Sequence, residues 1–110
     1  MLVVAATLAC GVVLGACGSS GSGPPAACRQ VRAVLSNGPT PSADPVGYAE
    51  AQILPLKAIH TSDAALHAVI DRLSAAYQQV YFTEDSPAAK AALRAAGARM
   101  DAVCPGAVGS

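Results

Sequence analysis

The sequence predicts an all-α domain of three to four helices, built around a long central helix kinked at Pro55. Three observations lead there. Leu66, Val69, Ile70, Leu73, Tyr77 and Val80 recur at the three-and-four spacing of one helix face. No stretch alternates polar and apolar residues with period two, and no Val/Ile/Thr-rich run is bounded by turns, so strands find no support. Pro, Gly and Asn gather between the periodic segments, where helices stop.

Each element has its own local reason. The first helix is expected over about Ala26 to Ser36, with Cys28, Val31, Val34 and Leu35 on one face, and Asn37-Gly38-Pro39-Thr40-Pro41 ends it. Asp44-Pro45 has the form of an N-cap followed by proline at the first helical position. Val46, Ala49, Ile53, Leu56 and Ile59 then supply an apolar stripe. Pro55 lies inside that stripe, removes one backbone hydrogen bond and crowds the carbonyl of Ala51, so a kink is expected. Thr61-Ser62-Asp63 could cap a fresh helix, or a continuous helix could run through it. The stripe from Leu66 to Val80 is rotated from the earlier one by about a quarter turn, which a kink or break between residues 55 and 63 would absorb. After the Thr83–Ser86 loop, Ser86 caps a last helix from Pro87 to Val103, with Ala89, Leu93, Ala96, Met100 and Val103 inward, and Pro105-Gly106 stops it.

Residues 1–16, MLVVAATLACGVVLGA, are uncharged and almost wholly apolar, and every Lys, Arg, Asp and Glu lies at or beyond Arg29. The run is shorter than the about 20 residues that span a bilayer, and it ends in small residues before a Gly/Ser tract. That is the layout of a cleaved export signal. Leu14-Gly15-Ala16-Cys17 resembles the bacterial lipobox: an aliphatic residue, two small residues and a cysteine whose thiol receives a diacylglycerol before cleavage. The pattern departs from a usual signal in lacking a basic residue at Met1-Leu2-Val3-Val4. Either the start lies upstream or the α-amino group supplies the charge. The resemblance implies lipidation at Cys17 and an extracytoplasmic domain anchored to the cell membrane by that lipid. A diacylglyceryl group anchors stably without a membrane-binding face on the protein. The expected organisation is a signal over 1–16, a lipidated cysteine and Gly/Ser/Pro tether over 17–27, a helical domain over 28–105 and a tail over 106–110.

Export sorts the four cysteines. Cys10 is discarded with the signal and Cys17 is lipidated, which leaves Cys28 and Cys104, 104 − 28 = 76 positions apart in an oxidising space. A disulfide between them would clip a domain whose core is thin. The clip constrains topology. Four alternating segments, or a long kinked central helix flanked by two short ones laid head to tail, place both cysteines at one end; three equal alternating helices do not.

Composition narrows the function. Seven basic and seven acidic side chains give a net charge of zero, which leaves no excess to hold a nucleic acid. His67 with Asp63 or Asp71 stands at i,i+4 spacing, as metal ligands on a helix would, and His60 lies two turns from His67. The plainer reading is a solvated face opposite Leu66 and Ile70. Tyr77 and Tyr81, one turn apart, are candidates to line a ligand slot between helices. No serine elbow or phosphate-binding loop is present, and the adjacent carboxylates Glu84 and Asp85 sit in a turn, so the chain reads as a non-enzyme that needs no cofactor.

The ensemble of LGAC, a Gly/Ser/Pro tether and a helical domain ending in Cys104-Pro105-Gly106 resembles small alanine-rich lipoproteins of actinobacterial type. Their architecture has a fainter likeness in the small secreted helical haem-binding proteins of mycobacteria, which carries no residues over. Two functions are expected in order: a module binding another envelope protein through a helical face, then a carrier of a small apolar ligand or haem.

Overall fold

In the computed structural model, residues 24–108 are described. They form four helices, α1 (Pro24–Leu35), α2 (Pro45–Lys57), α3 (Ala64–Phe82) and α4 (Pro87–Val103), with no strand among the described residues. The all-α expectation holds. The signal segment, Cys10 and Cys17 lie outside the described residues.

Local chemistry sets the helix starts where the sequence placed them. Asp44 Oδ1 accepts the Gly47 amide at 2.9 Å, Asp63 Oδ1 accepts that of Leu66 at 2.9 Å, and Ser86 Oγ accepts that of Ala89 at 3.2 Å. The expected long central helix is instead two helices. Pro55 denies the Ala51 carbonyl its partner close to the helix end, and the chain leaves the helix at Lys57. The Ala58 amide returns to the Leu54 and Pro55 carbonyls, Ile59 turns inward to 5% exposure, and Asp63 opens α3.

The other end of the domain is also larger than the sequence suggested. α1 begins at Pro24, and Ala26 and Ala27 are buried, so the last residues assigned to the tether belong to the fold. Proline suits a first helical turn, where amide protons have no partner to lose. Residues 106–108 are likewise part of the fold rather than tail. The chain reverses at Gly106, whose φ of 78° favours glycine. Ala107 is buried, and the Val108 amide donates to Asp101 Oδ1 at 2.8 Å. Gly97 makes the return possible, because a Cβ there would stand 3.2 Å from Val108 Cγ1.

The helices alternate in direction. Tyr48 meets Tyr77 while Ile53, further along α2, meets Ser74, earlier in α3. The end of α1 reaches the start of α2 through the Tyr48 hydroxyl, which donates to the Leu35 carbonyl. The opposite end is closed by the Cys28–Cys104 disulfide, with Cα atoms 5.5 Å apart. α1 leans mainly on α2, so the disulfide is its principal tie to α4.

Leu56, Leu66, Ile70, Leu73, Val80 and Met100 form the centre of the core, and Ala76, Ala89 and Ala96 let α3 and α4 approach closely. Val103 departs from the expected inward set: it is 38% exposed, while Cys104 takes the buried position beside it.

Gln52 is fully buried. Its Nε2 donates to the Asn37 carbonyl at 2.9 Å, and its Oε1 has no partner. An orphaned buried acceptor costs about 1–3 kcal/mol, more than the net value of the one hydrogen bond made. Asn37 is exposed, so water can replace Gln52 at its carbonyl. Gln52→Leu is therefore expected to stabilise the domain by about 1 kcal/mol, raising the thermal midpoint by roughly 4–8 °C. A lowered midpoint would mean that the amide contributes more than its orphaned oxygen costs.

Candidate site: a cavity beside the Tyr48–Tyr77 pair

A cavity of about 360 Å³ opens between the end of α1, the start of α2, the last turns of α3 and the first half of α4. Leu35, Tyr48, Tyr77, Val80 and Leu93 form its apolar wall, and Val108 from the returning C-terminal segment closes one side. Leu93, Val108 and Tyr77 also line a second hollow of about 520 Å³ on the far side, so Val108 and Leu93 stand as a partition.

The two tyrosines organise the wall. Their ring centroids are 5.9 Å apart with an interplanar angle of 70°, an edge-to-face arrangement. The Tyr48 hydroxyl donates its proton to the Leu35 carbonyl. Burial raises the pKa of both phenols, because a phenolate would be stripped of water. For Tyr77, the neighbouring Tyr48 charge and hydroxyl add to the effect.

The sign for stability follows. The folded state holds these protons more tightly than the unfolded chain, whose phenols titrate near pH 10. Their contribution is fully present below that value and is lost as the pH rises above it. Urea unfolding midpoints are thus expected not to vary with pH on account of these phenols near neutrality, and to fall steadily beyond pH 10. In Tyr77→Phe that alkaline fall should be shallower, and an equally steep fall would assign it to other groups.

The sequence candidates separate in the structure. Tyr77 faces the cavity at 4% exposure, whereas Tyr81 is 36% exposed and stacks edge-on against Phe82 with centroids 5.2 Å apart. Of the two tyrosines expected to line a slot between helices, Tyr77 therefore lines the cavity, with Tyr48 rather than Tyr81 beside it. Residues one turn apart in a helix diverge by about 40°, enough here to send Tyr81 to the surface. Tyr48, Leu35 and Val108 were not legible as site residues: they lie 29, 42 and 31 positions from Tyr77, and only the antiparallel register and the C-terminal reversal bring them to it. The metal candidates are not gathered. Asp63 is engaged as the α3 cap, His67 Nδ1 and Asp71 Oδ2 form an exposed pair at 3.4 Å, and His60 lies exposed in the α2–α3 connection. Among the described residues, no three His, Cys, Asp or Glu converge on a point.

A second surface feature is an open groove along α3 and α4, floored by Ala75, Ala92 and Ala95 and flanked by Arg72 and Arg99. Phe82, 75% exposed, stands at its end. No described helix is long and apolar enough to cross a membrane. No family model, no curated protein and no solved structure matches the chain.

Proposed function

We propose that this chain is an exported lipoprotein, held at the cell membrane by a lipid on Cys17, whose helical domain binds a small apolar molecule in the Tyr48–Tyr77 cavity. The cavity carries the binding half of the reading. Its volume lies within the range of small-molecule pockets, and its wall is divided about evenly between apolar and polar surface. Haem does not fit the donor set. The wall contains no imidazole, thiolate or thioether, and its two phenols are held in the neutral form that does not ligate iron well. The lipobox-like Leu14-Gly15-Ala16-Cys17 supports the anchor. With α1 starting at Pro24, six residues separate it from Cys17, which at full extension places the domain no more than about 25 Å from the lipid.

Titration with the fluorescent apolar probe N-phenyl-1-naphthylamine tests the cavity. Saturable one-to-one binding is expected, and Leu93→Trp, which fills the space, should weaken it at least tenfold while leaving the circular dichroism spectrum unchanged. Non-saturating binding, or binding indifferent to Leu93→Trp, would remove the cavity as the site. For the anchor, Cys17→Ala should shift the protein from the membrane fraction to the medium.

The groove beside Phe82 favours a second function, docking of another envelope protein. An aromatic side chain this exposed at the end of an alanine-floored groove is the kind of anchor that hot spots use. A photo-crosslinker placed at Ala95 should then capture a defined partner from intact cells, and Phe82→Glu should abolish the capture.

A further inference from the structure

We infer that the molecule held in this cavity has a hydrogen-bond donor as its head, an ammonium group above all, on an apolar body, and that carboxylate-headed molecules are refused. The inference rests on the cavity being a binding site, as proposed above, and goes on to assign the chemical class.

The wall has few donors left to give. The Ser36 hydroxyl donates to the Arg32 carbonyl at 2.7 Å. The Tyr48 hydroxyl donates to the Leu35 carbonyl. Backbone amides around the cavity are spent in the same way: Tyr48 on Asp44, Asp85 on Val80, Ala107 on Cys104 and Val108 on Asp101. Pro41 and Pro45 have no amide proton. What the wall chiefly offers a ligand is lone pairs, on phenol and carbonyl oxygens, together with one charge.

That charge is the Asp85 carboxylate, which lines the cavity with only 21% of its side chain exposed. Its cation is Lys90, 3.5 Å away, and that side chain is 53% exposed. Lys90 can turn into water at little cost, whereas Asp85 stays where the backbone puts it. The backbone there is held in the left-handed region at both Glu84 (φ 53°) and Asp85 (φ 64°), a conformation that side-chain-bearing residues seldom adopt. A carboxylate entering this wall would lose its water, meet few donors and face the like charge of Asp85. An ammonium would meet Asp85 and the unpaired lone pairs, and its chain would lie along Leu35, Val80 and Leu93.

Displacement of N-phenyl-1-naphthylamine from the purified protein by octylamine, octanol and octanoate at neutral pH decides the class. The amine is expected to displace the probe at concentrations at least about tenfold below the alcohol, the range of a charge-assisted hydrogen bond, and octanoate should not compete. Asp85→Asn, which a left-handed position tolerates, should bring the amine down to the level of the alcohol when the two are compared on the same variant against the probe affinity measured for it. Octanoate competing as well as the amine, or an amine preference that survives Asp85→Asn, would overturn the inference with the cavity intact. A probe that never binds saturably would instead remove the cavity reading on which it rests.

Discussion

Replacing Cys28 and Cys104 together by serine is expected to destabilise the domain by about 4.5 kcal/mol, the chain-entropy value for a closed loop of this length. Domains of this size have total stabilities of the same order, roughly 4–13 kcal/mol. A fall of 20 °C or more in the thermal midpoint is therefore expected, at roughly 4–8 °C per kcal/mol. The architecture argues for the upper part of the range. α1 rests mainly on α2, and the disulfide is what holds its first turns against the end of α4. Without it, Ala27 and Val31, both fully buried, would separate from the core with α1. The measurement is thermal unfolding of the wild type with and without a reductant that reaches the bond, beside the double serine variant. A midpoint that moves by only a few degrees in both would mean that α1 is held by its packing alone.

The parts of the fold legible in the sequence are those decided within one helical turn. Asp44, Asp63 and Ser86 each accept an amide three residues on, so the helix starts could be read from residue type and spacing. The α3 stripe and the bounds of α4 are of the same kind. The break between α2 and α3 is not. Pro55 marks a disturbance, but a kinked helix and two helices satisfy the local chemistry equally, and the burial of Ile59 decides between them. The fate of the last residues was hidden for a similar reason. Pro105-Gly106 says that the helix ends, whereas the return of the chain depends on a bare patch at Gly97 that no hydropathy pattern announces. Gln52 is a different case, because a signal existed. It lies at i+3 between Ala49 and Ile53 on the face that ends at Leu56, so helix geometry places it inward although its polarity argues otherwise.

Tyr77→Ala is expected to cost about 4 kcal/mol, in the range of large aromatic truncations in a core. Three contributions add. The ring is 4% exposed, so its removal leaves a void that joins the existing cavity rather than collapsing. The edge-to-face contact with Tyr48 is lost, at about 0.5–1.5 kcal/mol beyond area. Any polar contribution of the hydroxyl beside Tyr48 disappears, which Tyr77→Phe isolates at about 1 kcal/mol or less. Tyr81→Ala is the control: one turn away on the same helix, but 36% exposed and stacked only on the exposed Phe82, it should change stability by less than about 1 kcal/mol. Urea unfolding of the three variants checks the order. Equal losses at Tyr77 and Tyr81 would contradict the placement of the phenol pair, and with it the wall of the cavity. A large loss at Tyr77→Phe would make the hydroxyl, rather than the ring, the chief contribution of Tyr77 to the fold.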